Sequence, residues 1–128
     1  MENHNQTIDF LQNWNGKLFC NAFSTIRRKD DRYQVGQQYD ITLRDKWCGD
    51  AECVQVTHFT LDRLTESMAY LDTGLSKREA IELLQELYGA DIINEQFSYV
   101  VLYRITKDYH LNFNLYAEKF NNTAAVQG

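Results

Sequence analysis

The sequence contains no proline, and this absence limits how its turns can be made. Its 128 residues include six glycines, so chain reversals must rely on Gly, Asn and Asp, which tolerate left-handed backbone conformations. No apolar run approaches the roughly 18 residues that a membrane-spanning helix needs. Residues 1–5 also lack the basic start and apolar stretch of a signal peptide. We therefore expect a cytoplasmic protein with no membrane partner.

Cysteine is scarce and irregularly placed. Cys20, Cys48 and Cys53 are odd in number, which argues against a disulfide framework and fits a reducing compartment. The three histidines show no companion spacing to these thiols, so the pattern of a structural zinc site is missing. We expect neither a metal nor a cofactor.

An excess of positive charge is lacking as well. The formal net charge of −5 argues against sequence-independent adhesion to nucleic acid, which needs a basic surface. The densest basic cluster consists of Arg27, Arg28, Lys29 and Arg32. Local phosphate contacts and a solvated turn are both open interpretations of this cluster.

What the sequence does contain is the composition of one folded domain. Hydrophobic residues make up 44% and charged residues 24%, both close to globular averages. A chain of this length can bury one sizeable core and not two. We predict a single domain over residues 1–128, with residues 107–120 as a C-terminal extension and 121–128 as a flexible tail.

The N-terminal half is predicted to consist of a short helix followed by strands. Thr7 can cap a helix that ends at Asn15-Gly16, and a first strand should run over residues 17–27. Alternating apolar residues predict a second strand over 39–43. Cys48-Gly49-Asp50 is interpreted as a hairpin turn before a further strand over 53–61.

The C-terminal half is predicted to contain two helices and two strands. A helical stretch over residues 64–71 is expected to end at Asp72-Thr73-Gly74. Ser76 and Glu79 form a capping box for a second helix that ends at Gly89. Residues 97–105 are apolar on both faces, which is typical of a central strand, and residues 109–115 should add another. The irregular order of these elements indicates an α+β domain or a small barrel with helices at one end.

The stretch Phe23-Ser24-Thr25-Ile26-Arg27-Arg28 is the strongest candidate for a site. In an extended chain successive side chains point to opposite faces, and this divides residues 18–27 into two sets. The set that includes Phe23, Thr25 and Arg27 combines aromatic, hydroxyl and cationic groups, which suits a flat or anionic ligand such as a nucleotide. The opposite set, which includes Ala22, Ser24 and Ile26, is predicted to be core. An ordinary half-exposed strand is the alternative.

The order of four stretches resembles the ASCH domain, a family of the PUA-like superfamily. The resemblance covers residues 16–104. The stretches are Phe23-Ser24-Thr25-Ile26-Arg27, residues 33–39, residues 51–56, and Leu64-Thr65-Glu66 running into residues 70–74 ahead of the capped helix.

This resemblance implies a small PUA-like β-barrel of five to six mostly antiparallel strands, with two or three helices at one end. It also implies a cleft beside the Thr-Ile-Arg strand that binds RNA or a nucleotide. Separately, a second copy of the chain is a candidate protein partner. In such a module Thr25, Arg27 and Arg28 would hold a phosphate or base edge and Phe23 would stack on a base. Ser24 and Lys29 complete the candidate binding set.

The alternative function is hydrolysis. One branch of the family looks like an amidohydrolase that deacetylates N(4)-acetylcytidine, and a ribonuclease-like activity is suggested for other relatives. By position, Thr25 matches the nucleophile of that branch and Asp72 matches its glutamate.

The base of that branch has no counterpart at its usual position. The lysine is three residues before the threonine, and here that residue is Ala22. Lys17 would lie roughly 26 Å from Thr25 along a straight strand. From sequence alone we therefore expect little turnover, and robust turnover would mean that another residue, with Lys29 or Lys17 first in line, supplies the base.

Overall fold

The computed structural model describes residues 5–106, and these form one five-stranded sheet with helices packed on it. The sheet is curled into a half-barrel, so the predicted α+β class and barrel-like character are confirmed. The predicted strand at 109–115 and the tail from 121 lie outside the described residues. In chain order the elements are β1 (Gln6–Phe10), a 3₁₀ segment (Trp14–Phe19), β2 (Ala22–Arg28), β3 (Gln38–Leu43), β4 (Lys46–Thr60), a 3₁₀ segment (Leu61–Arg63), α1 (Glu66–Thr73), α2 (Lys77–Tyr88), a 3₁₀ segment (Ala90–Asn94) and β5 (Gln96–Arg104).

The strand order is β1-β3-β4-β5-β2, and β1 and β2 form the two edges. All neighbouring strands are antiparallel except β1 and β3, which run parallel. β5 lies between β4 and β2, which confirms the predicted central strand.

The two edge strands come close to each other because the sheet curls. The rings of Phe10 and Phe23 lie 6.1 Å apart, and Nη2 of Arg27 donates to the carbonyl oxygen of Asp9 at 2.6 Å. Within residues 5–106 no strand pairing joins β1 to β2. We call this gap between the two edges the seam.

The predicted N-terminal helix is wrong, because the segment from Gln6 is strand β1. Ile8 and Phe10 are buried while Thr7 is exposed, which is the two-residue period of a half-buried strand. The spacing of Phe10, Leu11 and Trp14 fits a helix equally well. Pairing with residues 39–43 of β3, which are distant in sequence, decides the outcome.

The predicted hairpin at Cys48-Gly49-Asp50 is also wrong. The turn between β3 and β4 is Arg44-Asp45, where φ is 48° and 67°, and positive φ at both central residues is what a type I′ turn requires. Gly49 instead lies within β4 with φ of 103°, next to a register shift that marks a β-bulge.

Two apolar clusters cover the two faces of the sheet, and β2 contributes to both. Phe23 packs inside the curl with residues of all five strands, whereas Ile26 packs beneath the helices. The prediction that one face of residues 18–27 is uniformly core is wrong, because Cys20 and Ala22 are exposed. An edge strand in a curled sheet can bury parts of both faces.

The helices confirm the capping box and correct the end of α1. Ser76 accepts from the Glu79 amide while Glu79 reaches back to the Ser76 amide. α1 begins after its cap Thr65 and continues through Asp72, and Gly74 ends it in the left-handed conformation. Gly89 follows α2 with positive φ but an extended ψ, so the predicted αL cap there is wrong. Neither these helices nor any other in the described part of the chain has the length and hydropathy to cross a membrane.

Candidate functional site

A small cleft lies in the seam, between the two edge strands and the helices. Its volume is about 110 Å³. Its polar lining includes the side chains of Lys17, Thr25, Arg27 and Asp72. The remaining lining residues are Asp9, Phe10, Leu11, Trp14, Ile26, Thr73, Leu83, Leu84, Leu87 and Tyr88.

Lys17 reaches this cleft because the chain before β2 is not a straight strand. Asn15 and Gly16 have φ of 59° and 63° within the first 3₁₀ segment, and β2 begins only at Ala22. This turn folds the segment back, so Lys17 and Thr25 line the same cleft. The predicted strand over 17–27, and with it the separation of about 26 Å, is wrong.

The Lys17 amine forms a buried ion pair with a carboxylate of α1. Its Nζ lies 3.1 Å from Oδ1 of Asp72, and each residue is only 5% exposed. The Ser24 hydroxyl donates to the same Oδ1 at 2.9 Å. Asp72 lies three positions after the buried Ala69, which places both on the inner face of α1.

Burial lowers the pKa of Lys17 from its ordinary value. Desolvation is the main cause, and the nearby positive charge of Arg27 acts in the same direction. The charge and hydrogen bond of Asp72 oppose both effects. The net result is an amine that gives up its proton more readily than an exposed lysine does.

Thr25 is held by Arg27, two residues further along β2. Nε of Arg27 donates to Oγ1 of Thr25 at 2.8 Å, and Thr25 is 3% exposed. A guanidinium group has no acceptor, so the Thr25 oxygen accepts here and its own proton is directed elsewhere. Arg27 is fixed in turn by the Asp9 carbonyl and by the Phe10 ring, whose centroid lies 4.9 Å away.

The other residues of the predicted binding set are not gathered in this cleft. Phe23 is 5% exposed, packs edge-on against Phe10 and lies beneath the Arg104 guanidinium. Arg28 pairs with Glu95 at 3.1 Å. Lys29 is exposed beyond the end of β2.

Sequence reasoning set Lys17 aside because a straight strand would carry it far from Thr25. The signal that could have found it is Asn15-Gly16, because both residue types adopt positive φ readily and a turn there prevents a straight strand. Nothing local in the sequence indicates the partnership of Lys17 with Asp72, 55 positions away.

The arrangement places a hydroxyl, an amine of lowered pKa, a carboxylate and a guanidinium around one small space. These are the groups needed for attack on a carbonyl carbon: a nucleophile, a base, a group that orients the base, and a donor for the developing oxyanion. Among residues 5–106 there is no group of three or more metal-ligating side chains.

Comparison with known proteins adds no relative. No family model matches this chain, and no curated protein and no solved structure is significantly similar to it.

Proposed function

We propose that this protein is an ASCH-type domain that binds a nucleoside-like ligand in the seam cleft and hydrolyses an amide bond of that ligand. The observation that carries the proposal is the position of Lys17, a buried amine paired with Asp72 in the cleft that Thr25 lines. The resemblance implies a lysine base, and Ala22 cannot act as one. Lys17 supplies such an amine from a different place in the chain.

The reaction would begin at Thr25. Its Oγ attacks the amide carbonyl carbon, and Lys17 Nζ accepts the hydroxyl proton. The oxyanion that forms accepts a hydrogen bond from the Arg27 guanidinium, the cation nearest to the nucleophile. Collapse breaks the carbon–nitrogen bond, and the proton on Lys17 passes to the departing amine.

A water molecule then completes the cycle. It attacks the acyl ester on Thr25 and gives one proton to Lys17, which returns it to the Thr25 oxygen as the ester bond breaks. The products are a carboxylic acid and a free amine. Asp72 keeps the lysine in place through both steps, and Ser24 fixes the carboxylate oxygen that contacts it.

The size of the cleft favours a small acyl group. About 110 Å³ is well below the roughly 300 Å³ at which pockets for drug-sized ligands begin. An acetyl group and the edge of a base could enter, with the remainder of the nucleoside outside. Trp14 lines the cleft and offers an aromatic ring for a base.

Chromatographic assay of N(4)-acetylcytidine tests the proposal. We expect turnover by the native protein, loss of turnover in Thr25→Ala by at least about a hundredfold, and an acetyl group on Thr25 in rapidly quenched samples analysed by mass spectrometry. Thr57→Ala is the matched control, because Thr57 is exposed on β4.

Two results would contradict hydrolysis through Thr25. One is turnover that survives Thr25→Ala, and the other is absence of turnover in the native protein. Calorimetric binding of the nucleoside without turnover would leave a binding module, the other function predicted from sequence, with Thr25 and Arg27 as ligand contacts.

A further inference from the structure

Arg104, the last residue of β5, has a guanidinium group inside the protein. The residue is 9% exposed, and each of its three nitrogens donates to a main-chain carbonyl. Nε donates to Cys20 at 3.1 Å, Nη1 to Cys48 at 2.6 Å, and Nη2 to Leu18. Within residues 5–106 no carboxylate forms a salt bridge with it.

Burying a charge in this way is costly unless its donors are satisfied. Arginine suits the task because its planar fork directs several donors at fixed angles. Desolvation lowers the pKa of Arg104, while Cys48 and Asp50 act in the opposite direction. An apolar side chain in this place would avoid the cost, but it could not donate to the three carbonyls.

The positions of the carbonyl partners indicate what Arg104 holds in place. Two of the three belong to Leu18 and Cys20, and the Arg104 amide donates to the carbonyl of Asn21 at 2.8 Å. These contacts tie residues 18–21, which are the end of the first 3₁₀ segment and the two residues before β2, to the central strand. The third partner, Cys48, fixes the same guanidinium to β4.

Lys17 immediately precedes the chain that Arg104 holds. On its other side Asn15 donates to the carbonyl of Tyr70 in α1 at 3.2 Å. The lysine is therefore bracketed by an anchor to the helix and an anchor to the sheet. Its amine can contact Asp72 only if the short segment between these two anchors keeps its backbone conformation.

We propose that Arg104 is a positioning residue that holds the segment carrying Lys17, so that the lysine amine stays in the seam cleft beside Asp72 and Thr25. An effect of Arg104 on the reaction rate rests on the proposed function, in which Lys17 is the base. The position of the Lys17 amine does not depend on that function.

The environment of Lys17 reports on this positioning. The charged groups that face its amine are Asp72 from α1 and Arg27 from β2, and both remain when Arg104 is replaced. If the segment relaxes, Lys17 gains water, and its lowered pKa rises toward the ordinary lysine value. A loss of stability elsewhere in the fold would not move the Lys17 pKa in this way.

The test is an NMR titration of the full chain labelled in its lysine side chains. The Lys17 signal is assigned by its disappearance in Lys17→Arg. We expect its pKa to lie below the ordinary lysine value in the native protein and to move upward in Arg104→Lys. Arg78→Lys is the matched control, since Arg78 lies exposed on α2, and should leave the signal unchanged. Folded Arg104→Lys with an unaltered Lys17 titration would overturn the proposal.

Enzyme kinetics adds a second readout. If the amide is hydrolysed, Arg104→Lys should lower kcat at neutral pH by about a hundredfold, the cost of a misplacement near 1 Å, with KM little changed. The rate of Arg104→Lys should also rise with pH, but at higher pH than the native rate does, because the Lys17 pKa has moved toward the ordinary lysine value. Absence of native turnover would refute the proposed function, while the titration would still decide the role of Arg104.

A measurement on the native protein covers the case in which Arg104→Lys does not fold. The Nε–H of Arg104 should exchange with solvent far more slowly than that of Arg78, because it is enclosed and bonded to the Cys20 carbonyl. Equal exchange rates for the two groups would show that Arg104 does not hold the segment, and would overturn the proposal.

Discussion

Lys17 and Arg104 are both buried cations, yet their surroundings differ in kind. Lys17 has one carboxylate partner and lines a cleft, whereas Arg104 has three carbonyl partners inside the fold. An ammonium group shifts its pKa readily on burial, but a guanidinium group stays charged. The first arrangement allows a proton to move, and the second gives a fixed charge that orders the backbone.

Under the proposed function, this difference separates a cation that takes part in the reaction from a cation that supports the fold. Lys17 lines a cleft, so under the proposed function its amine could exchange its hydrogen bonds during a reaction. Each of the three Arg104 nitrogens donates to a main-chain carbonyl, so the group cannot turn toward a ligand without losing these hydrogen bonds. The predictions below alter one cation at a time, from the largest expected effect to the smallest.

Lys17→Arg should abolish most turnover while keeping the positive charge beside Asp72. Arginine does not give up its proton in proteins, so the general base is lost, and such a base typically contributes about a hundred- to ten-thousand-fold. The native rate should rise with pH as Lys17 loses its proton, and the lowered pKa brings this rise to lower pH. The rate of Lys17→Arg should show no such limb.

The pH–rate profiles of both proteins measure this difference, with Lys46→Arg as the control because Lys46 is exposed on β4. If Lys17→Arg retained the native profile, Lys17 would not be the base.

Removal of one member of the buried pair should destabilise the protein more than removal of both. Lys17→Met leaves Asp72 buried with only the Ser24 hydroxyl, and breaking such a pair costs about 3–5 kcal/mol. Adding Asp72→Leu removes the unpaired charge and should restore most of that free energy of unfolding. Urea denaturation of the three proteins measures it. A double variant no more stable than the single one would mean that the pair itself stabilises the fold.

Local signals account for the parts of the structure that could be predicted from sequence. The capping box of Ser76 and Glu79 involves residues three apart. The strand over 97–105 has apolar residues at successive positions, and these indicate burial on both faces. The α+β class follows from the order of such elements. Each of these features depends on neighbouring residues, so the sequence alone contains the information.

The site depended on contacts that the local pattern does not encode. The apolar spacing after Thr7 fits two periods, and pairing with β3 selects the strand. A turn at Asn15-Gly16 that looks like the end of a helix in the sequence brings Lys17 to the cleft. The strand pattern indicates Thr25 and the family resemblance indicates Asp72, whereas the link of Asp72 to Lys17 requires the folded structure.

Arg28 provides the smallest expected effect and the sharpest contrast with Arg104. It also touches an aromatic ring and a carbonyl, with Tyr88 supplying both, and it pairs with Glu95. About half of its side chain is exposed, so water and salt screen these contacts. Arg28→Met should therefore cost less than about 1 kcal/mol, and the loss should shrink further at 1 M salt, where the screening length is about 3 Å. Denaturation of the native and variant proteins at low and high salt measures this.

The Lys17 titration should be unchanged in Arg28→Met, because Arg28 does not contact the segment that Arg104 holds. A shift of the Lys17 signal as large as that in Arg104→Lys would mean that any arginine near the sheet affects the lysine, and the contrast between a buried and a half-exposed guanidinium would fail.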